Sequence, residues 1–240
     1  MNIVMPMAGR GSRFVEVGIT TPKPLIDVQG QPMYAWAMES LPLNLARRVI
    51  FICQDEHLQS SGLRKDIETR YAQLDPVIIG LDHITEGQAC TVLMARDYID
   101  TQEPLLIYNA DTYCRTALAT TLPGLSPEVD GLIGVFKALG DKWSFARLGE
   151  DGRVLETAEK RRISEWATTG LYFFRRGEDF VRHADAMIAA DERQNGEFYV
   201  APVYNRLIAE GGEVRVDPAS EVWVLGTPED LAQFEIHYKL

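Results

Sequence analysis

Residues 2–14 read NIVMPMAGRGSRF, a short apolar run followed at once by a glycine-rich loop. The apolar run predicts a first β-strand, and closely spaced glycines after a strand let backbone N–H groups approach an anion such as a phosphate. Similar apolar runs recur at 49–52, 77–79 and 105–108, with helical patterns between them at 32–41, 57–71 and 88–98. Strands that alternate with helices predict βαβ units and a mostly parallel sheet.

The second half of the chain follows a different pattern. Strands are predicted at 131–136 and 171–174, a hairpin with an Asp-Gly turn at 145–155, and helices at 180–190, 199–210 and 228–238. No linker separates the halves. We therefore predict one α/β domain over 1–240, with a wound, mixed and mostly parallel sheet flanked by helices. Its first part is 1–130, and 131–240 supplies an inserted lobe and a closing helix.

The composition excludes several classes of partner. The formal net charge of the 240 residues is −11, so the overall field does not attract nucleic acid or an anionic membrane. The three cysteines show no CxxC spacing, and no apolar run approaches the roughly 20 residues of a membrane helix. We expect a cytoplasmic protein with reduced cysteines, and the composition leaves open whether it forms a homo-oligomer. A phosphate ligand would need its cationic contacts concentrated in one pocket.

The glycine loop has competing interpretations. A dinucleotide-binding fingerprint needs Gly or Ala where Phe14 stands, and the prolines at 22 and 24 would break the helix that should follow. A Walker P-loop needs a Gly-Lys-Ser/Thr that is absent. A plain tight turn remains an alternative. Against it, Arg13 follows the loop and Lys23 is held between two prolines, which lowers the entropy cost of gripping a polyphosphate.

Asp111 follows the apolar run at 105–108, and Asn109 and Ala110 lie between them. Ligands of open α/β sheets bind beyond the carboxyl ends of strands, and a carboxylate there is well placed to hold Mg²⁺ together with phosphate oxygens. The alternative is that Asp111 caps a following helix. The sequence leaves these two interpretations open.

These residues resemble the signature of the sugar-phosphate nucleotidylyltransferases, and further motifs follow in the family's order. The resembling segments lie at 9–13, 22–25, 86–89, 109–111, 159–160, 169–172, 197–199 and 226–231. They span almost the whole chain. Within the family, the likeness is strongest to small bacterial cytidylyltransferase-like enzymes of capsule and surface-glycan pathways, through 195–200 and 160–164.

The resemblance implies a Rossmann-like fold, Mg²⁺ as cofactor and specific residue roles. The implied catalytic residues are Arg13, Lys23, Asp111 and Lys160, with Asp111 also the metal ligand. The implied nucleotide-binding residues are Ala8, Gly9, Gly11, Ser12, Arg13, Lys23, Glu86, Gly87 and Gln88. The implied acceptor-binding residues are Asn109, Lys160, Thr169, Gly170, Glu197 and Tyr199. The first part of the domain would bind the NTP and the second part the acceptor.

Three positions depart from the family pattern. Val224 stands where many relatives carry a second metal-binding aspartate, and Asp217 and Glu221 are the neighbouring acids. Before Gly170, where many relatives place Asn, this chain has Thr168 and Thr169, and Gln88 is bulkier than the small residue common in the family's base loop, to which 86–89 corresponds. With valine at position 224, a second protein carboxylate on the metal is not expected.

The resemblance implies transfer of NMP from an NTP to a small phosphorylated metabolite with release of pyrophosphate. CTP is favoured, followed by UTP or dTTP, in the synthesis of surface-polysaccharide precursors. One alternative is a nucleotide-sugar-dependent glycosyltransferase, which would not need Arg13 and Lys23 to grip pyrophosphate. Another is a regulatory nucleotide-binding module, which would usually have lost its charged site residues. For Lys160, an exposed ion pair with Glu159 is the structural alternative.

Overall fold

A computed structural model of the chain describes residues 1–239. The strands are β1 (Asn2–Pro6), β2 (Asp27–Val28), β3 (Gln31–Pro32), β4 (Arg48–Gln54), β5 (Val77–Leu81), β6 (Leu105–Tyr108), β7 (Thr112–Arg115), β8 (Val129–Lys137), β9 (Ser144–Leu148), β10 (Val154–Glu159), β11 (Trp166–Phe174), β12 (Glu213–Pro218) and β13 (Glu221–Val224). The α-helices are α1 (Ser12–Glu16), α2 (Met33–Glu39), α3 (Asp55–Ser60), α4 (Leu63–Arg70), α5 (Gln88–Leu93), α6 (Arg96–Ile99), α7 (Leu118–Thr121), α8 (Gly177–Ala189), α9 (Val203–Ala209) and α10 (Pro228–His237).

The central sheet joins the two halves of the chain. Strands β5, β4, β1 and β6 lie side by side in that order and are parallel. Next to β6 lies β11, which is antiparallel to it and also pairs with β8 and β9. Strand β12 extends the sheet from β8, and β10 extends it from β9. The mixed, mostly parallel α/β sheet expected from the sequence is confirmed.

Alternation along the strands fills two hydrophobic cores, one on each face of the sheet. In β1, Ile3 and Met5 belong to one core and Val4 to the other. In β4, Phe51 faces the first core and Ile52 the second, and all these side chains are fully buried. Because side chains of a strand point alternately to opposite faces, uninterrupted apolar runs are what a sheet covered on both faces requires.

A third cluster connects the start of the chain to its end. Phe14 of α1, Trp36 of α2 and Phe234 of α10 are buried together, and the rings of Trp36 and Phe234 are 5.0 Å apart between centroids. Thr227 is the N-cap of α10, and its side chain accepts a hydrogen bond from the Asp230 backbone N–H. The C-terminal helix is therefore packed against the helix that follows the glycine loop.

Several boundaries differ from the sequence predictions. The helix predicted at 57–71 is two helices, α3 and α4, separated at Gly62, whose φ of +79° lies outside the helical region. The helix predicted at 88–98 is likewise divided into α5 and α6. Strands β2, β3, β7, β12 and β13 were not predicted. No helix within residues 1–239 is long and apolar enough to cross a membrane.

Candidate active site

A cleft of about 670 Å³ opens at the carboxyl ends of β1 and β6. The chain runs from β1 to β4 on one side of the sheet and returns to β6 on the other side of β1, so the strand order reverses at this point. Such a switch point leaves a crevice in which α/β proteins bind ligands. The segments after β1 and β6 form part of the cleft wall, and the middle of β11 and the start of α10 complete it.

Gly11 and two prolines position Lys23. Gly11 precedes α1 with φ +62°, and a Cβ at this position would lie 3.0 Å from Cβ of Lys23. Lys23 begins a 3₁₀ turn between Pro22 and Pro24. A side chain at position 11 would therefore push Lys23 away from the cleft, so Gly11 supports the cleft without lining it.

Lys23 and Asp111 meet inside the cleft. Lys23 Nζ donates a hydrogen bond to Asp111 Oδ2 at 2.5 Å, and 21% and 28% of their side chains are exposed. Arg13 lines the same cleft. Asp111 is followed by strand β7, not by a helix, so the alternative that it caps a helix is wrong. Asp111 lines the cleft.

The chemistry of the Asp111 carboxylate fits one magnesium ion, since Mg²⁺ is commonly held by one or two carboxylates together with substrate phosphates and water. Residues 1–239 contain no cluster of three or more His, Cys, Asp or Glu able to enclose a metal ion. Val224 lines the cleft, whereas Asp217 does not, and Glu221 forms an ion pair with Arg115 at 3.0 Å. Neither acid takes the place of an aspartate at position 224.

The base loop, residues 86–89, is bound to the acceptor segment, residues 197–199, each named for the role that the resemblance implies. Gly87 has φ +135°, and a Cβ there would lie 2.4 Å from the Phe198 carbonyl oxygen. The Phe198 N–H donates to the Glu86 carbonyl, and the Ala89 N–H donates to the Phe198 carbonyl, both at 2.9 Å. The Glu86 carboxylate pairs with Arg193 at 2.5 Å and does not line the cleft.

A second close approach involves Gly170, Asn109 and Gln88. Gly170 interrupts β11 with φ +83°, and the pairing register with β8 shifts around it. A Cβ at Gly170 would lie 2.1 Å from Asn109 Nδ2, so only glycine leaves room for the Asn109 amide. Gln88 Nε2 donates to Asn109 Oδ1 at 2.5 Å. Thr169 Oγ1, in the cleft wall, is buried without a hydrogen-bond partner among residues 1–239.

Carboxylates and aromatic rings line the part of the cleft nearest β9 and β10. Glu159 is buried, accepts a hydrogen bond from Ser144, and has its pKa raised by that burial. Burial and the nearby Glu197 carboxylate raise the pKa of Tyr199, so its hydroxyl stays protonated. Lys160 donates to this hydroxyl at 2.8 Å. Glu159 is therefore hydrogen-bonded to Ser144. Among residues 1–239, it forms no ion pair with Lys160, whose ammonium donates to Tyr199 instead.

Most sequence-predicted site residues converge on this one cleft. Those that line it are Ala8, Gly9, Arg13, Lys23, Gly87, Gln88, Asn109, Asp111, Thr169, Gly170, Glu197 and Tyr199. Those that adjoin it without lining it are Gly11, Ser12, Glu86 and Lys160. Ser12 is exposed at the start of α1, and Lys160 is exposed beside Tyr199.

The lining residues to which sequence reasoning gave no role include Lys142, Trp143 and Asp230, of which Asp230 belongs to the resembling segment at 226–231. Lys142 and Trp143 precede β9, and Asp230 lies in the first turn of α10. The loop before β9 reaches the cleft only because β9 pairs with β11 and β10. A Lys-Trp pair in a polar loop carries no signal of its own, so this placement was not predictable from spacing.

Comparisons with known proteins agree with this geometry. The sequence profile of the nucleotidyl transferase family matches residues 2–238. The crystal structure of a nucleoside-diphosphate-sugar pyrophosphorylase from Vibrio cholerae RC9 superposes with a TM-score of 0.84 at 30% identity, covering 98% of this chain and 100% of that one. The inositol-1-phosphate CTP transferase from T. maritima superposes with a TM-score of 0.75 over 100% and 97% of the two chains, and at 15% identity it shows the fold alone.

A curated relative resembles part of the chain. The catalytic subunit beta of mannose-1-phosphate guanylyltransferase from Danio rerio is 28% identical over 117 residues. That match spans 48% of this chain and 31% of the relative's length. The whole-chain profile match and the full-length structural match together decide the assignment: the chain belongs to the nucleotidyl transferase family.

Proposed function

We propose that this protein transfers a nucleoside monophosphate from an NTP to a sugar phosphate or a similar phosphorylated metabolite and releases pyrophosphate. CTP is the first choice of donor, followed by UTP and dTTP, and the product would serve surface-polysaccharide synthesis. One observation carries the proposal: Lys23 contacts the Asp111 carboxylate in a cleft at the carboxyl ends of β1 and β6 that Arg13 also lines. The relatives' names include a CTP and a guanylyl transferase, so the base is left to experiment.

In the proposed reaction, an oxygen of the acceptor phosphate attacks the α-phosphorus of the NTP in line with the bond to the leaving pyrophosphate. A P–O bond forms to the acceptor, and the P–O bond between the α- and β-phosphates breaks. The acceptor phosphate is already a nucleophile, so no protein nucleophile is required. The obstacle is repulsion between two anions, and catalysis therefore consists of positioning and charge neutralisation.

The residues of the nucleotide part divide this task. Lys23 would donate a hydrogen bond to an α-phosphate oxygen, and Arg13 would neutralise the departing pyrophosphate beside the backbone of the glycine loop. Asp111 would hold Mg²⁺, which supplies further charge neutralisation on the NTP oxygens when bound. Contact between Lys23 and Asp111 keeps both side chains aimed into the cleft before any ligand arrives.

The residues of the acceptor part would orient the second substrate. Glu197 and Tyr199 line the cleft and offer a carboxylate and a protonated hydroxyl to acceptor groups. Lys160 stands next to Tyr199 at the rim and would guide the acceptor phosphate inward. Gly170 and Asn109, which lie in close contact, would shape the cleft wall between the two substrates.

The test is pyrophosphate release from a panel of NTPs combined with a panel of sugar and polyol phosphates, in the presence of Mg²⁺. We expect turnover for one NTP and one acceptor class. Lys23→Ala should lower kcat/KM by about 10²–10³, the cost of one preorganised donor. Lys65→Ala, at an exposed position on α4, is the matched control and should behave as wild type.

Other outcomes would reject the proposal. Transfer of an intact sugar from a nucleotide sugar without pyrophosphate release would indicate a glycosyltransferase. Nucleotide binding, seen as a raised melting temperature, without turnover of any pair would indicate a regulatory module. Near wild-type turnover by Lys23→Ala would remove Lys23 from the mechanism.

A further inference from the structure

The loop between β8 and β9, residues 138–143, forms one wall of the cleft through Lys142 and Trp143. Trp143 fixes this loop, because its indole N–H donates to the Leu139 carbonyl at 3.3 Å and its ring packs edge-on against Phe136 at 5.3 Å between centroids. The ammonium of Lys142 lies 4.5 Å from the centre of the Trp143 ring. Lys142 is therefore held at the cleft by an aromatic side chain that is itself anchored.

Lys142 has a weak partner. Its Nζ lies 3.8 Å from Asp230 Oδ1, longer than a hydrogen bond, and 61% of the lysine side chain is exposed. A loose, solvated pair of this kind contributes little to stability and exchanges easily. Lys142 can thus leave Asp230 for a more strongly charged anion at little cost in electrostatic energy.

The position of Asp230 locates Lys142 within the cleft. Asp230 lies in the first turn of α10, three residues after Thr227, and it lines the cleft together with Gly226 and Thr227. A Cβ at Gly226 would lie 3.4 Å from Asp111 Oδ2 and 3.9 Å from Lys23 Nζ. The segment that meets Lys142 is therefore the segment that flanks the Lys23–Asp111 pair.

The charge balance around the Lys23–Asp111 pair favours an additional cation for binding phosphates. Asp111 already compensates Lys23 at 2.5 Å, and Val224 offers no charge. Lys160, the other lysine of the acceptor part near the cleft, is hydrogen-bonded to Tyr199 and does not line it. Two phosphorylated substrates bring several negative charges together, and an ammonium that is free to turn forms strong charge-assisted hydrogen bonds with phosphate oxygens.

We propose that Lys142 is a substrate-contacting residue whose ammonium exchanges Asp230 for a phosphate oxygen when the substrates bind. The proposal rests on the proposed nucleotidyl transfer. The ligand chemistry is a phosphate monoester or polyphosphate oxygen, which either the NTP or the acceptor can supply. The β8–β9 loop thereby adds a third cation to Arg13 and Lys23, which come from the first part of the chain and line the same cleft.

The matched control is Lys137, which belongs to β8 at the base of the same loop. Lys137 lies over the ring of Trp166 at 5.2 Å and pairs with Glu165 at 3.0 Å, and 63% of its side chain is exposed. It does not line the cleft. Lys137→Met and Lys142→Met therefore remove similar side chains from similar surroundings and differ in access to substrate.

The experiment measures kcat and both KM values by pyrophosphate release for wild type, Lys142→Met, Lys142→Arg and Lys137→Met. We expect Lys142→Met to raise the KM of the substrate that it contacts by about tenfold or more, the equivalent of one charge-assisted hydrogen bond. Lys142→Arg should restore most of the loss, and Lys137→Met should match wild type. A rise in the KM of the NTP or of the acceptor identifies which phosphate is bound. Values within twofold of wild type for Lys142→Met would overturn the proposal.

A binding measurement separates this proposal from the reaction itself. Calorimetric titration of wild type and Lys142→Met with the NTP and with the acceptor, each alone with Mg²⁺, should reproduce the weaker binding of one ligand without turnover. Asp230→Asn should bind the same ligand more tightly than wild type, because Lys142 is then free. Absence of turnover by wild type would reject the proposed function, whereas equal binding by wild type and Lys142→Met would reject the role of Lys142.

Discussion

Gly87→Ala tests the connection between the base loop and the acceptor segment. Gly87 has φ +135° and ψ +174°, a region open essentially to glycine alone, and an added Cβ would lie 2.4 Å and 2.5 Å from the backbone O and N of Phe198. The methyl group cannot be accommodated by rotating a side chain, because both atoms belong to the backbone. The two segments must therefore separate.

The cost follows from this geometry. Backbone strain contributes about 1–3 kcal/mol. Separation also breaks the two 2.9 Å hydrogen bonds that Phe198 makes with Glu86 and Ala89, each worth about 0.5–1.5 kcal/mol. Unfolding free energy should thus fall by about 2–6 kcal/mol, and each kcal/mol lowers Tm by roughly 2–4 °C in a chain of this size.

The control is Gly62→Ala, because Gly62 also has positive φ, at +79°, but has no atom within 4 Å of an added Cβ. This variant should lose only about 1–2 kcal/mol of stability and keep its activity. Gly87→Ala should lose about 10² in kcat/KM, because Gln88 and Glu197 line the cleft beside this contact and shift when the two segments separate. Thermal unfolding and pyrophosphate release measure both effects. Equal Tm and activity in the two variants would refute the steric argument.

Three further predictions concern other groups. Asp111→Asn should lower activity and raise the Mg²⁺ concentration needed for half-maximal rate by roughly tenfold or more, because an amide binds Mg²⁺ more weakly; an unchanged magnesium titration would contradict this. Arg193→Gln, which removes the ion pair with Glu86 and the stacking on Phe198 at 4.2 Å, should raise the KM of both substrates and lower Tm by about 2–4 °C; a change in one KM alone would contradict a shared scaffold. Burial raises the pKa of Asp217 above its ordinary 3.8, so the folded state binds more protons and stability falls as pH rises through that range. Asp217→Asn should therefore raise Tm at pH 7, with a gain that disappears as the pH approaches 3.8.

The parallel part of the fold and much of the site could be predicted from sequence because their signals are local. A buried strand is an apolar run, and glycines or an aspartate directly after it lie at the carboxyl edge of the sheet. The same logic placed Arg13, Lys23 and Asp111 in one cleft. For Asp111, the choice between helix cap and ligand site depended on whether a helix or strand follows, and β7 decides it.

Contacts between distant segments could not be predicted. Glu86 carries a carboxylate in a motif that suggested nucleotide binding, yet its side chain reaches Arg193, 107 positions later in the chain. Lys142 reaches the cleft through the pairing of β9, a contact that leaves no trace in its neighbours' identities. Helices α3 and α4 share one apolar pattern, and the break at Gly62 depends on a backbone angle. The first two are tertiary effects that local periodicity does not contain, whereas the break at Gly62 is a local backbone effect.

Two glycines, Gly87 and Gly170, allow close contacts between the two halves of the chain. At Gly87 the base loop touches the backbone of Phe198, and at Gly170 strand β11 leaves space for the amide of Asn109. Both contacts join a segment of the nucleotide part to a segment of the acceptor part, and Gln88 connects them by donating to Asn109. In the proposed reaction, in-line transfer depends on the relative position of two phosphates, and these close contacts would hold the two substrate-binding surfaces in a fixed relative position before the substrates bind.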